Sequence, residues 1–355
     1  MRDMRTLEWD SQKKELRTID QRRLPARLDF VTLKNEVEVA EAIANMTLRG
    51  APIIGVSAAF GLALAAHHSP AQDLPALKHN IHKAATLLGK TRPTAVNLAW
   101  AINRLLAVTD SFYGSPQDLS SRLELEALQM AEEDVKTNQA ISTFGAELID
   151  DGDTIIHHCN TGALAMVDWG TALGVIRSAH AQGKRVHVLV DETRPRLQGS
   201  RLTAWELQQY DIPFEIICDN AAGFFLQKRQ VQKVLFGADR VTKNGDVANK
   251  IGSYMLALAA HANGVPVYSV FPTTTIDLNM ESGDQIPIEM RSEQEVLDIQ
   301  IHGEKAVPDG AAARNPAFDV TPHHLLSGYV TELGVFSQPF FENLQAAHAR
   351  RRSIS

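Results

Sequence analysis

Cysteine is nearly missing: the 355 residues hold two, Cys159 and Cys218, so no disulfide framework exists and a reducing cytoplasm is the expected compartment. Basic charge is not in excess either. A net charge of −7 and a pI near 6.0 argue against a nucleic-acid partner, whose footprint would be basic, while leaving room for a local pocket that binds a small anion. The first residues, MRDMRTLEW, carry no apolar signal core, so no export is expected. Long apolar runs are also lacking. The longest, Ala51 to Ala66, is broken by Ser57, ends at His67-His68 and is rich in Gly and Ala, which reads as a buried core helix rather than a membrane span. No GxGxxG follows the first strand, and no GxxxxGK[ST], CxxC or HExxH occurs, so dinucleotide, NTPase and common zinc chemistry have no support.

What is present is ordinary soluble-protein composition, 44% hydrophobic and 22% charged with mean hydropathy −0.15, over a length that favours two domains. The grammar changes midway. After three short strand-like pieces (LEWD, LRTID and RLDFVTL), apolar residues recur at helical spacing from Asn35 to Met46. Helical stretches follow from Pro52, over Leu74–Gly89, over Pro93–Thr109 and from Pro116 to about Ile149. Asp151-Gly152-Asp153 marks a junction. Beyond it, TIIHHC, RVHVLVDE, FEIICD, KVLFGAD and PVYSVFP alternate with helical segments, the pattern of a parallel sheet covered on both faces. The expectation is an α/β protein: residues 1–150 as an α-rich domain with a small β element, and residues 151–355 as a doubly wound parallel sheet. The tail after Asn343 reads as solvated.

In such a sheet ligands bind beyond the C-terminal ends of the strands. Those ends here read Cys159-Asn160, Asp191-Glu192-Thr193-Arg194, Asp219-Asn220, Asp239-Arg240 and Pro272-Thr273-Thr274. Cys159 is followed by Asn160-Thr161-Gly162, which reads as a helix opening, where a thiolate is favoured; the plain alternative is a small buried hydrophobe. Cys218 reads as core. Asp239 is either a cap or ion-pair carboxylate or an acid held protonated in a poorly hydrated pocket. Arg49-Gly50-Ala51-Pro52 and Thr91-Arg92-Pro93 each set an arginine before a helix start, and Lys250 reads the same way. Each alone is commonly a surface cation, but together they suit a phosphate. His157 and His158 point to opposite faces of a strand and cannot both ligate one ion, so no metal site is expected.

Several segments together identify a resemblance: RGAPIIG (49–55), TRPTAVNLAWA (91–101), HCNTGALA (158–165), GTALGVI (170–176), ETRPRLQGSRLTAWEL (192–207), GADRVTKNGDVANKIGSY (237–254), SGDQIPIE (282–289) and NPAFDVTP (315–322). From about residue 5 to about 340 the chain resembles the methylthioribose-1-phosphate isomerase family, in a superfamily shared with the regulatory subunits of the translation-initiation guanine-nucleotide exchange factor. The resemblance implies Cys159 and Asp239 as catalytic residues, and Arg49, Gly50, Ala51, Arg92, Gln198, Asn249 and Lys250 as contacts to the sugar phosphate. It also implies a Rossmann-like C-terminal domain, an active site at the strand ends and domain interface, a homodimer, and no cofactor or metal. Ile53 and Trp169 depart from the family pattern, and Trp169, read as lying on the helix after Cys159, would reshape the pocket for the 5-substituent. A related 1-phosphate substrate (5-deoxyribose 1-phosphate or ribose 1,5-bisphosphate) and a non-catalytic regulatory subunit are the competing expectations.

Overall fold

A computed structural model describes residues 5–93 and 95–354. The chain divides into two compact units. One holds the chain through Ser142 together with Thr161–Gly174; the other holds Thr143–Asn160 and Val175 onward.

The first unit begins with an antiparallel sheet of β1 (Leu7–Asp10), β2 (Glu15–Ile19) and β3 (Phe30–Leu33). Five helices follow: α1 (Glu36–Ala44), α2 (Ala51–His67), α3 (Leu74–Gly89), α4 (Val96–Ser111) and α5 (Pro116–Ala146), the division between units falling inside α5. Asn35 and Asp73 cap α1 and α3 by accepting the N–H of Glu38 and Ala76, respectively. Every residue of α2 from Ile53 to Ala66 is buried, which explains its all-round apolar sequence: it is the central helix of the bundle. Among the described residues no helix is long and apolar enough to cross a membrane.

The second unit carries the remaining elements: β4 (Thr154–His157), α6 (Ala172–Ala181, which begins in the first unit), β5 (His187–Asp191), α7 (Ala204–Gln209), β6 (Phe214–Ile217), α8 (Ala222–Gln227) and β7 (Lys233–Phe236), then β8 (Arg240–Thr242), β9 (Val247–Lys250), α9 (Ser253–Ala262), β10 (Val267–Val270), β11 (Ile276–Asp277), α10 (Gln294–Leu297), β12 (Gln300–Ile301), β13 (Glu304–Lys305), β14 (Phe318–Thr321), β15 (Gly328–Thr331), β16 (Gly334–Phe336) and α11 (Phe340–Ile354). The main sheet has the order β16-β15-β10-β7-β4-β5-β6, parallel except for the β15–β16 pair. From β4 the chain builds outward through β5 and β6, then returns to build β7, β10 and β15 on the other side. The strand order therefore reverses between β4 and β7, which opens a crevice at their C-terminal ends. Ile156, Val234, Phe236, Val267 and Tyr329 form part of the core on this sheet.

Three sequence expectations change here. A second sheet, β11-β8-β9-β14, emerges directly after β7, from strands too short to stand out in the sequence. The tail is helical, the end of α11: Leu344 and Ala347 are buried, while Gln345, Ala346, Ala349 and Arg350 are exposed as expected. Cys218 is exposed rather than core, because β6 is the outermost strand of the sheet and Cys218 leaves its end.

Candidate active site

Cys159 and Asp239 leave the two strands that flank the reversal. β4 and β7 are hydrogen-bonded in parallel, His157 beside Leu235, so Cys159 lies two residues beyond β4 and Asp239 three beyond β7. Asp239 is half-buried, and its N–H donates to the Ala248 carbonyl (2.9 Å) as β8 pairs with β9. That pairing sets Asn249, which follows Ala248 in β9, across from Asp239, and Lys250 ends the strand. Asn249 is buried and donates through Nδ2 to Ser253 Oγ (2.8 Å). Lys250 Nζ donates to the Ala317 carbonyl (2.7 Å) and lies 4.6 Å from the Phe318 ring centre. Lys250 thus closes a strand, and α9 starts only at Ser253, so the expected helix-start lysine is corrected.

Cys159 is buried, and its surroundings differ from the expected helix opening. The next regular piece is a three-residue 3-10 turn, Ala163–Ala165, and α6 begins only at Ala172. The residues that follow Cys159 therefore do not open a helix. Trp169, for the same reason, is not on a helix; its φ is 73°. Cys159 itself has φ 67°, a left-handed conformation that costs about 1–3 kcal/mol for a residue with a side chain and persists only where neighbours enforce it. Two threonines enforce it. The Cys159 N–H donates to Thr193 Oγ1 (2.9 Å), and Thr203 Oγ1 donates to the Cys159 carbonyl (2.7 Å).

Thr193 is also left-handed, at φ 60°, and is held by Asp219, whose two carboxylate oxygens accept the N–H groups of Thr193 and Arg194 (both 2.7 Å). The loop then runs into a π-helical segment, Gly199–Thr203, that precedes α7. Gln198 sits at its start, 6% exposed, and among the described residues its Oε1 has no hydrogen-bond partner, which suits an acceptor waiting for a ligand hydroxyl. Neighbouring Asn160 donates through Nδ2 to Thr203 Oγ1 (3.1 Å) and Glu206 Oε1 (2.8 Å).

The two histidines behave differently. His157 faces the core, and burial pushes its pKa down to about 3, so it stays neutral. His158 is 1% exposed and hydrogen-bonds through Nδ1 to Asp191 Oδ2 (2.9 Å) and through Nε2 to the Ile251 carbonyl (3.0 Å). Its ring, Asp191 and Asp219 offer ligand atoms within 4.8 Å of one another, a cluster that strand-face alternation of the histidines did not foresee. Its contacts are those of a hydrogen-bond network: Asp219 is spent on backbone amides, and a proton joins His158 Nδ1 to Asp191. His158, Asp191, Thr193 and Asp219 are the residues that sequence reasoning missed as a unit, although the strand-end polar clusters contained three of them.

In the helical unit Arg49, Gly50 and Ala51 lead into α2, with Gly50 at its N-cap. Arg92 lies in the turn before α4 and its Nη1 reaches Met46 Sδ at 3.7 Å. A Cβ on Gly55 would lie 2.7 Å from the Asn97 carbonyl, so the first turns of α2 and α4 are in contact. The structure therefore brings Arg49, Gly50, Ala51 and Arg92 to one end of that unit, and Cys159, Gln198, Asp239, Asn249 and Lys250 to the strand ends of the other.

Comparison with known proteins fits this architecture. Over 345 residues the chain is 49% identical to methylthioribose-1-phosphate isomerase 2 of Pseudothermotoga lettingae, covering 97% of this chain and 98% of that one. The Geobacter sulfurreducens methylthioribose-1-phosphate isomerase is 46% identical over 342 residues, with 96% and 98% covered. Among solved structures, the 5-methylthioribose 1-phosphate isomerase from Pyrococcus horikoshii OT3 superposes with a TM-score of 0.89 at 42% identity, covering 97% and 96%. A translation initiation factor eIF-2B delta subunit from A. fulgidus gives 0.85 at 39%, covering 97% and 99%. Residues 47–338 match the model of the Initiation factor 2 subunit family, and the chain belongs to that family, alongside relatives that carry the isomerase name.

Proposed function

We propose that this protein is an aldose–ketose isomerase that converts 5-methylthioribose 1-phosphate to 5-methylthioribulose 1-phosphate in methionine salvage. The observation that carries the reading is a thiol and a carboxyl leaving the two strands at the reversal of the sheet, in a chain nearly half identical, end to end, to proteins named for that activity. The phosphate on the anomeric oxygen prevents spontaneous ring opening. Asp239 acts as general acid, protonating the ring oxygen as its bond to C1 breaks. Hydrogen then moves from C2 to C1 as the C2 hydroxyl gives its proton back to the Asp239 carboxylate, leaving a carbonyl at C2. Cys159 either removes the C2 proton through an enediol-type intermediate or stabilises the polarised state while hydride shifts. Deuterium from solvent at C1 of the product supports the first route and its absence the second. Arg49, Gly50, Ala51, Arg92 and Lys250 bind the phosphate, and Gln198 and Asn249 bind sugar hydroxyls.

The apolar side chains Tyr254, Met255 and Leu258, which are exposed on one face of α9, support a homodimer, tested by light scattering. The few cysteines support a cytoplasmic location. The deciding assay incubates the purified protein with 5-methylthioribose 1-phosphate, 5-deoxyribose 1-phosphate and ribose 1,5-bisphosphate and follows ketose formation by NMR. Preference for the first supports the assignment. Faster turnover of either other substrate reassigns it, and no turnover of any returns the chain to a binding role.

A further inference from the structure

His158 is a buried histidine that the proposed chemistry does not use, although it adjoins Cys159 in the chain. Its two ring nitrogens reach two separate loops. Nδ1 meets Asp191 at the end of β5, two residues before the threonine that holds the Cys159 N–H. Nε2 meets the carbonyl of Ile251, the residue after Asn249-Lys250. Gly252, at φ 103°, makes room: a Cβ there would lie 2.8 Å from His158 Cε1 and 3.1 Å from Nε2. The Gly252 N–H is held in turn by Asp319 Oδ2 (2.7 Å).

We propose that His158 is a positioning residue for Cys159, its imidazolium tying the Cys159 loop to the β5 loop through Asp191 and to the β9–α9 turn through Ile251. Burial raises the Asp191 carboxyl to about 6, which leaves it ionised at pH 7; both partners are then acceptors, and the doubly protonated ring is the form that satisfies both bonds. Burial works against that charge, but the hydrogen bond and charge of Asp191, with Asp219 and the Ile251 carbonyl, outweigh it and the pKa is raised. The groups facing the ring are Asp191 from β5, Asp219 beyond β6 and Asp319 on β14, with His157 beside it on β4. The consequence is a Cys159 backbone fixed in its left-handed conformation from three sides, next to a charge pair that is neutral only while His158 keeps both protons. The inference rests on the isomerase reading for its kinetic arm alone.

The experiment uses the full chain carrying Cys218→Ser, so that Cys159 is its only thiol. Nitrogen NMR of the wild-type ring, His158→Gln and the shape-preserving Asp191→Asn are compared. The ring should hold both protons at pH 7. Both variants should lose about 10- to 100-fold in kcat, the scale of an ångström-sized misplacement, with KM within about threefold. In His158→Gln, which leaves the Asp191 carboxylate without its counter-charge, iodoacetamide alkylation of Cys159 should move to higher pH. A singly protonated ring at pH 7, wild-type kcat in Asp191→Asn, or an alkylation profile in His158→Gln that overlays the parent would overturn the proposal. An inactive parent enzyme would instead count against the isomerase reading, and the NMR and alkylation arms would still decide this one.

Discussion

Gly199 tests the packing of the site loop most severely. It opens the π-helical segment after Gln198, and a Cβ placed on it would lie 1.7 Å from the Asp191 carbonyl oxygen, against an ordinary contact of 3.4 Å or more. Neither side yields easily. Asp191 is the last residue of β5, in register with Ile217 of β6, and the adjoining Glu192 N–H donates to the Ile217 carbonyl at 2.9 Å. The segment is tied in turn by the Leu197 N–H to the Thr193 carbonyl and the Arg201 N–H to the Leu197 carbonyl, both 2.8 Å. Gly199→Ala must therefore displace the π-helical segment by more than an ångström. Forced overpacking costs about 1–3 kcal/mol. Alanine's lower unfolded-state entropy returns about 0.4–1 kcal/mol, so a net loss of about 1–2 kcal/mol remains. At about 2.1 cal/mol/K of unfolding entropy per residue, a chain of 355 residues shifts by about 1.3 °C per kcal/mol, so calorimetry should show melting about 1–3 °C lower. Gln198 moves with the segment, and a displacement of that size at a site costs about 100-fold in rate. Melting and turnover both equal to the parent's would refute the close approach itself. Lower stability with full turnover would instead remove Gln198 from the substrate site.

Cys159→Ser and Asp239→Asn should each fold normally and lose at least about 100-fold in kcat, the usual scale for an acid–base group; near-parental turnover in either would remove it from the chemistry. Arg92→Ala should raise KM by the equivalent of about 1.5–3 kcal/mol and narrow the gap between inhibition by ribose 1-phosphate and by ribose; an unchanged gap would count against phosphate contact. In alkylation of the parent protein, exposed Cys218 should be labelled first and buried Cys159 slowly, with inactivation tracking Cys159 alone and slowed by bound substrate analogue, as peptide mapping would show. Glu295, beside Arg291 (2.6 Å) and Arg196 (2.8 Å), has its pKa brought down to about 2 against the pull of burial. A depressed carboxylate stabilises the fold above its unfolded pKa near 4.5, and that contribution disappears as pH falls toward 2. Glu295→Gln should therefore destabilise at pH 7 by about 1 kcal/mol, after allowance for solvent screening, and converge with the parent in acid melts; a constant difference across pH would refute it.

The sequence revealed what depends on local periodicity and concealed what depends on distant partners. α2, α3 and the strands β4, β5, β7 and β10 were readable because their apolar spacing is their own property. The polar clusters at the strand ends were readable too, because apolar strands that stop at charged residues announce their ends. The backbone of Cys159 was not. Its left-handed turn is imposed by Thr193 and Thr203, 34 and 44 residues away, and a following Asn-Thr-Gly looks the same before a helix as before an irregular loop. Cys218 failed for a related reason. FEIICD is as apolar as an interior strand, and only the order of strands reveals that β6 has a neighbour on one side alone. His158 shows the same limit in its sharpest form. Alternation along a strand predicts its ring opposite that of His157 but says nothing of its partners, Asp191 and Ile251, which lie 33 and 93 residues on. Facing opposite ways excludes a shared metal ion for the two histidines, and nothing more. It leaves one ring in an apolar core, where neutrality follows, and the other among three carboxylates, where charge follows. The chemical difference between two adjacent, identical residues is thus created entirely by topology, and it falls at the strand end that leads into Cys159.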